Sequence, residues 1–255
     1  MYTTERAIVF GDVHFPFDDG KAVSLMMRFM RSFKPHVIFI NGDLLDCWEI
    51  SKFVKPTSIE ERLCDELHQA ERFLRKLRKE NPTAKIIYVG GNHEFRFERF
   101  IAMNARELSG LKGMTLEEQL CLKELKIQSV NNHLKENYFR YGKLLIGHFS
   151  RVNKHSAYTA KNLLEEKGVP LIQNHTHRGG MSYKRDYENT KVAVENFCLC
   201  DLNPPYMLIP NWQLGFSTIH TDTKTGFFKI TPIEIVNYHV FFGSEVFKIR
   251  NATFK

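Results

Sequence analysis

Aspartate, asparagine and histidine side chains, which ligate metal ions in proteins, follow five apolar segments of this chain. The segment Val37-Ile38-Phe39-Ile40 is typical of a fully buried strand, and Asp43 and Asp46 come shortly after it. An aspartate that follows such a strand lies at the carboxyl edge of a sheet, where open α/β folds bind ligands. The other four segments are followed by Asp12 and His14, by Asn92, His93 and Glu94, by His148, and by His175 and His177.

Side chains of these types could hold two metal ions and use them to hydrolyse a phosphoester. Two ions about 3.5–4 Å apart turn a bound water into hydroxide and neutralise the charge on the phosphoryl oxygens. Mixed oxygen and nitrogen ligands favour Mn²⁺, with Fe or Zn²⁺ as alternatives, over Mg²⁺ or Ca²⁺. Two cations this close require a bridging carboxylate, and Asp43 is the candidate.

Helices are predicted between the strands that carry these residues. Apolar residues at helical spacing predict a helix from Asp19 to about Phe33. A capping box at Ser58-Ile59-Glu60-Glu61 predicts that the next helix begins at Ser58 and ends near Glu80. Further helices are expected over residues 96–108 and 156–167, and strands over 192–197, 215–220 and 227–230. The absence of repeats and linkers favours a single domain over residues 1–255.

Taken in order, the five motifs resemble those of the calcineurin-like metallophosphoesterase superfamily over roughly the first 180 residues. The motifs are Asp12-x-His14, Gly42-Asp43-x-x-Asp46, Gly91-Asn92-His93-Glu94, Gly147-His148 and His175-x-His177. One departure is Asn174, because the family usually has glycine there; asparagine tolerates positive φ, so we expect the turn to be kept. The resemblance implies an α/β fold, a four-layer α/β/β/α sandwich of two mixed sheets flanked by helices.

The resemblance also implies a role for each motif residue. One metal ion would take Asp12, His14, Asp43 and His177, and the other would take Asp43, Asn92, His148 and His175. His93 would lie over the scissile phosphate and stabilise the transition state or protonate the leaving oxygen. Asp46 would accept a hydrogen bond from His93 and keep it charged.

Two arginines are candidates for substrate binding. Arg96 and Arg99 share one face of the predicted helix, and Arg96 is expected either to approach a phosphate or to pair with Glu94 or Glu98. Arg178 precedes Gly179-Gly180, which predicts a flexible loop with a cation beside the metal ions.

Composition indicates where the chain works and what it binds. The net charge of +7 and the pI near 9.1 favour polyanionic partners, including DNA or RNA. No apolar run is long enough to span a membrane, and the first six residues lack the apolar region of a signal peptide. Five scattered cysteines indicate reduced thiols. We therefore expect a cytoplasmic protein, in the host cytoplasm if a phage encodes it.

The predicted function is that of a binuclear metal-dependent phosphoric ester hydrolase. Cys47-Trp48 stands where Ser/Thr phosphatases of the superfamily have Arg-Gly, so that branch is disfavoured. The pattern looks most like the compact phosphoesterases of bacteria and their phages. Basic charge favours a nucleotide or nucleic-acid phosphoester, as substrate of a phosphodiesterase, nuclease or phosphatase. A small-molecule phosphomonoesterase is one alternative. The other is a non-catalytic interaction module such as the retromer subunit that resembles this family, although eroded ligands usually accompany that role.

Overall fold

Two β-sheets pack face to face in the computed structural model of the protein, which describes residues 4–53, 60–131, 136–187, 189–204 and 209–249. Along the chain, the elements are β1 (Thr4–Phe10), α1 (Gly20–Phe33), β2 (Val37–Asn41), α2 (Leu63–Glu80), β3 (Lys85–Val89), α3 (Glu94–Asn104), α4 (Leu116–Gln119), β4 (Ile127–Val130), β5 (Tyr138–Tyr141), β6 (Leu144–Gly147), α5 (Tyr158–Lys167), β7 (Leu171–Gln173), β8 (Gly179–Arg185), β9 (Thr190–Asn196), β10 (Gly215–Asp222), β11 (Phe228–Glu234), β12 (His239–Phe242) and β13 (Glu245–Lys248). A short 3-10 turn, Arg106–Leu108, follows α3.

Both large sheets are mixed. The first has the strand order β11-β10-β1-β2-β3-β4, in which β1 to β4 are parallel and β10 and β11 run antiparallel to their neighbours. The second has the order β5-β6-β7-β9-β8, with β6, β7 and β9 parallel. The parallel strands of each sheet therefore end at a common edge, which is where the motif residues lie.

Three apolar layers hold the sandwich together, and strand alternation assigns residues to them. In β1, Ala7 and Val9 face the second sheet, whereas Ile8 and Phe10 face the helices, because successive strand residues point to opposite faces. The layer between the sheets also contains Phe39, Ile87, Ile146, Ile172 and Val194. Helices α1 and α2 cover the outer face of the first sheet, and α5 covers that of the second. The predicted four-layer α/β/β/α sandwich is confirmed.

The first helix is where the sequence predicts it, but the second begins later than expected. The Asp19 side chain caps α1 by accepting hydrogen bonds from the backbone N–H groups of Lys21 and Ala22. The predicted start of α2 at Ser58 lies outside the described residues, and Glu61 precedes the helix. Instead, the Glu49 carboxylate accepts a 2.8 Å hydrogen bond from the N–H of Leu63, the first residue of α2. A residue distant in sequence therefore takes the place of the predicted capping box.

Two further predictions concern the later parts of the chain. The helix predicted over residues 96–108 is present as α3 and the 3-10 turn, and it begins at Glu94. The flexible loop predicted at Gly179-Gly180 is wrong, because β8 begins at Gly179 and pairs with β9 along its whole length. The strands predicted over residues 192–197, 215–220 and 227–230 are present as β9, β10 and β11. None of the helices within the described residues has an apolar stretch that could span a lipid bilayer.

Candidate metal centre

The seven predicted ligands come from both sheets and converge at one edge of the sandwich. Four follow strands of the first sheet: Asp12 and His14 after β1, Asp43 after β2, and Asn92 after β3. Three follow strands of the second sheet: His148 after β6, and His175 and His177 after β7. Buried polar side chains of this density are typical of a functional site.

The ligand atoms form two groups. In the first, Nε2 of His14 lies 3.1 Å from Nε2 of His177, which is 3.7 Å from Oδ1 of Asp12. In the second, Nε2 of His148 lies 3.1 Å from Oδ1 of Asn92 and 3.2 Å from Nδ1 of His175. Each group offers nitrogen and oxygen donors that point at one another across a small space, which is the donor set of a divalent transition metal.

Asp43 connects the two groups. Its Oδ2 atom is 3.2 Å from Nε2 of His148 in the second group and 3.8 Å from Nε2 of His14 in the first. A single buried carboxylate oxygen thus reaches both groups. This is the position that a carboxylate bridging two cations requires, and the residues present fit a pair of metal ions.

The pKa values of the side chains at the centre are also compatible with the binding of cations. Burial raises the pKa of Asp12 to about 6. Burial also acts to raise the pKa of Asp43, but the combined attraction of His148, His93 and His14 holds it well below its usual value. Burial opposes protonation of His148, but Asp43 and Asp12 raise its pKa to about 10. The His148 imidazolium therefore offsets part of the negative charge of the buried carboxylates. Burial and His148 lower the pKa of His175 to about 4, so that ring is neutral, as a metal ligand must be.

Hydrogen-bond and sulfur contacts outside the centre fix the orientation of three of the four candidate ligand histidines. Nδ1 of His14 donates to Oδ2 of Asp46 at 3.1 Å, and Nδ1 of His148 donates to the carbonyl oxygen of Asn41 at 3.1 Å. Nδ1 of His177 lies 3.6 Å from Sγ of Cys200. With Nδ1 occupied in this way, each ring directs Nε2 into the centre. Such contacts orient metal ligands and select their tautomers.

The predicted hydrogen bond from His93 to the Asp46 carboxylate is absent. Nδ1 of His93 instead donates to the backbone carbonyl oxygen of Asp46 at 2.8 Å, and it is 3.6 Å from the carboxylate Oδ2, which bonds to His14. Nη2 of Arg96 donates to Nε2 of His93 at 2.9 Å. Burial lowers the pKa of His93 to about 4 despite the nearby Asp43 carboxylate. The ring is therefore neutral in this arrangement, not charged as the resemblance implied.

The two arginine candidates occupy different environments. Arg96 lines the cavity over the centre, and its Nη1 donates to the carbonyl oxygen of Asp46 at 2.9 Å. Arg178 is buried, and its guanidinium donates to the carbonyl oxygens of Asn153 and Lys154 at 2.6 and 2.8 Å. Those bonds fix the loop before α5, and Arg178 is not among the residues that line the cavity.

The backbone at the centre is unusually constrained. Five of the seven candidate ligands have positive φ angles between 50° and 85°: Asp12, His14, Asp43, His175 and His177. Residues other than glycine adopt this conformation at an energetic cost, which proteins concentrate at functional sites. Gly91 is required for close approach, because a Cβ atom there would lie 2.1 Å from Oδ1 of Asp43.

A cavity of about 640 Å³ opens over the centre. His14, Asp43, Asn92, His175 and His177 line its floor, together with His93 and Arg96. Three aromatic residues complete its walls: Trp48, Phe53 and Trp212. The Trp212 ring packs on His177 with a centroid separation of 4.2 Å. The volume is that of a site for a small organic ligand.

Comparison with known protein families identifies the family to which this chain belongs. The sequence pattern of calcineurin-like phosphoesterases matches residues 5–208. The chain belongs to the calcineurin-like phosphoesterase family. Members of this family are mostly metal-dependent phosphoesterases, and the two groups of ligands described above agree with that property.

Relatives of this phosphoesterase family member include two phage proteins. It is 26% identical to the Gene 54 protein of Mycobacterium phage D29 over 240 residues, which are 86% of this chain and 90% of the relative. It is also 26% identical to the Gene 54 protein of Mycobacterium phage L5, over 90% of this chain and 94% of the relative. Similar solved structures include Vps29 from Chaetomium thermophilum, which is 10% identical over 91% of this chain and 87% of Vps29, with a TM-score of 0.46. Another is purple acid phosphatase PPD1 from yellow lupin, which is 12% identical over 90% of this chain and 53% of the phosphatase, with a TM-score of 0.42.

Asn174, the departure from the family's usual glycine, serves the centre through its side chain. Its Nδ2 donates to Oδ2 of Asp12 at 3.0 Å, and its Oδ1 accepts from Nδ2 of Asn41 and of Asn196 at 2.8 and 3.1 Å. The positive φ angle that we expected at Asn174 belongs to His175 instead. These buried amides therefore hold the Asp12 carboxylate in place. The only sign of this role in the sequence was that asparagine stands where the family usually has glycine.

Trp212 and Cys200 are site residues that sequence analysis missed. Both lie beyond the five motifs, and they reach His177 because the chain after β9 returns to the sheet edge. Local spacing carries no signal for such contacts. The only available sign was an isolated tryptophan in a polar segment, which has many structural explanations.

Proposed function

We propose that this protein is a binuclear metal-dependent phosphoesterase that acts on nucleotide or nucleic-acid phosphoesters. The position of Asp43 carries the proposal, since its Oδ2 atom faces both groups of ligands. Asp12, His14, Asp43 and His177 would hold one ion, and Asp43, Asn92, His148 and His175 would hold the other. Mn²⁺ suits this mixed donor set, as do Fe and Zn²⁺.

Two bound ions would supply an activated water at neutral pH and would neutralise phosphoryl oxygens. The protein's own residues do the remaining work. Asp46 fixes the His14 ring, and Asn41 fixes the His148 ring. His93 lies beside the floor of the cavity, with Nε2 3.8 Å from Oδ2 of Asp43, so it faces any phosphoryl group bound there. The Arg96 guanidinium keeps His93 Nε2 oriented and adds positive charge at the same position.

Features of the cavity support a substrate with a flat ring. Trp48, Phe53 and Trp212 surround the space above the centre, and aromatic side chains stack on nucleobases. The net charge of +7 favours polyanions. A small-molecule phosphomonoester remains the alternative substrate. The five unpaired cysteines, all within the described residues, and the two phage relatives support action in the cytoplasm of a host cell.

One experiment separates these possibilities. The purified protein is assayed with Mn²⁺ on p-nitrophenyl phosphate, bis-p-nitrophenyl phosphate and labelled single-stranded DNA and RNA, and its metal content is measured in parallel. The proposal expects about two ions per chain and turnover of the diester and the nucleic acids. Turnover of the monoester alone would favour the phosphomonoesterase. A folded protein that cannot be loaded with metal and hydrolyses none of these compounds would favour an interaction module.

A further inference from the structure

A second cavity, of about 200 Å³, adjoins the cavity over the metal centre. We call it the α3 cavity, because one of its walls is formed by Arg96, Arg99, Phe100 and Met103 of α3. The opposite wall is formed by residues 50–53, which follow the Asp43 motif. Ser51, Phe53 and Arg96 line both cavities. A chain bound at the centre can therefore continue along α3.

The α3 cavity is positively charged. Its described lining contains Lys52, Arg96 and Arg99 and no acidic residue. Arg96 is held by Asp46 and His93, whereas Lys52 and Arg99 are exposed to solvent. Cations arranged along a cleft attract a polyanion and neutralise successive phosphates. The charge of the cleft thus continues beyond the phosphoryl group at the metal centre.

Exposed apolar side chains alternate with these cations. Phe53 is 74% exposed, Phe100 is 40% exposed and Met103 is 57% exposed, although all three are large and apolar. The Arg96 guanidinium lies 5.6 Å from the centre of the Phe53 ring. Aromatic rings interleaved with cations are the usual means of binding single-stranded nucleic acid, whose unpaired bases stack on the rings. An acidic peptide or an inorganic polyphosphate would leave these rings unused.

We propose that the α3 cavity binds the nucleotide next to the scissile phosphate of a single-stranded nucleic acid. Lys52 and Arg99 contact its phosphate, and Phe53 and Phe100 stack on its base. This inference rests on the proposed function and narrows its substrate class from phosphoesters of nucleotides to oligonucleotides. Arg99 and Phe100 line the α3 cavity but not the cavity over the metal centre, so substitutions of these two residues test the α3 cavity separately from catalysis.

Binding is tested apart from catalysis. The anisotropy of a fluorescein-labelled deoxythymidine decamer is measured with the full chain in EDTA, over a range of salt concentrations. We expect Phe100→Ala to weaken binding by about 5-fold or more, the usual effect of losing one stacked base. We expect Arg99→Ala to weaken binding and to lower the slope of log Kd against log salt by about 0.7, and Arg99→Lys to keep that slope. Arg72→Ala, at an exposed position on α2 that lines neither cavity, is the matched control and should bind as wild type does.

A second readout uses the metal-loaded protein. In Arg99→Ala, the ratio of kcat/KM for the decamer to kcat/KM for bis-p-nitrophenyl phosphate should fall by the same factor as the affinity. A decamer affinity and salt slope equal to those of Arg72→Ala would overturn the proposal. So would Arg99-dependent binding of a phosphopeptide in place of the decamer. If the decamer binds through Arg99 but no compound is hydrolysed, the proposal for the α3 cavity stands and the hydrolase proposal fails. If bis-p-nitrophenyl phosphate is hydrolysed but Arg99→Ala does not change decamer binding, the hydrolase proposal stands and the proposal for the α3 cavity fails.

Discussion

The Glu94 carboxylate accepts a 2.9 Å hydrogen bond from the backbone N–H of Asp43, so the first residue of α3 holds the loop that carries the aspartate proposed to bridge the two ions. The same carboxylate accepts from the N–H groups of Gly91, Leu44 and Leu45 and from the Tyr88 hydroxyl, which makes five hydrogen bonds in all. Glu94 is fully buried. It is therefore the organising residue of two motif loops, although it faces no substrate.

Glu94→Gln should destabilise the protein by about 2–4 kcal/mol, because either amide orientation turns an N–H₂ group toward backbone donors and leaves them unsatisfied. Denaturant unfolding of the chelator-treated protein measures the change. Glu107→Gln, at an exposed position in the 3-10 turn, is the matched control and should cost less than about 0.5 kcal/mol. Equal stability of the two variants would show that the Glu94 network contributes little.

Asp43→Ala should remove both metal ions, because the shared carboxylate is needed to hold two cations close together. Asn92→Ala removes a ligand from one group only, so it should retain about one ion per chain. Elemental analysis of the purified proteins measures both contents, and Asp65→Ala on the exposed face of α2 is the control. Two ions retained in Asp43→Ala would exclude the bridging role.

His93→Ala should lower kcat by about 10²–10⁴-fold while the metal content stays unchanged, because His93 faces the bound phosphoryl group and ligates no ion in the proposal. The assay compares turnover of bis-p-nitrophenyl phosphate with metal content in the same preparation. A wild-type rate would remove the assigned role. Loss of metal together with rate would instead identify His93 as a ligand.

Glu66 makes stability depend on pH. Burial raises the pKa of Glu66 from 4.5 to about 8, with a further contribution from Asp46, although its carboxylate accepts hydrogen bonds from the N–H groups of Cys47 and Trp48. The folded protein therefore holds this proton more tightly than the unfolded chain does. Its stabilising contribution is complete below pH 4.5 and is lost as the pH rises toward about 8.

Glu66→Gln cannot lose a proton, so its stability relative to wild type should increase by up to about 5 kcal/mol between those two pH values. Denaturant unfolding in EDTA at several pH values measures the difference, since bound cations would otherwise add their own pH dependence. Glu107→Gln, at its exposed position, again serves as the control. A Glu66→Gln difference that does not change with pH would contradict the raised pKa.

Sequence patterns were sufficient for the strands and for the residues that follow them. Val37-Ile38-Phe39-Ile40 and the corresponding segments are short and apolar, so the strands and the polar residues that follow them were predicted from local signals. The meeting of Asp12 and Asp43 from one sheet with His148 from the other was implied only by the resemblance to the family. Other features of the fold and of the site depend on tertiary contacts that local sequence patterns do not show. The start of α2 depends on Glu49, and the neutral state of His93 depends on burial and on Arg96.

Arg178 shows most clearly why local reasoning fails at some positions. The glycines after it predict a loop, but they belong to a strand, and a Cβ atom on Gly179 would lie 1.9 Å from the Phe197 ring. Glycine is needed there for close packing and not for flexibility. Arg178 consequently points toward the loop before α5, where it binds two backbone carbonyls. Spacing along the chain cannot distinguish these two uses of glycine.

The origin of the ligands in both halves of the sandwich has a mechanical consequence. Asp12, His14 and Asn92 extend from one sheet, while His148, His175 and His177 extend from the other, so any ion held between them joins the two sheets at their open edge. Ions that bind only the native state raise its stability by mass action. Chelation is therefore expected to do more than stop turnover: it should remove this link between the two sheets and lower the melting temperature of the whole chain.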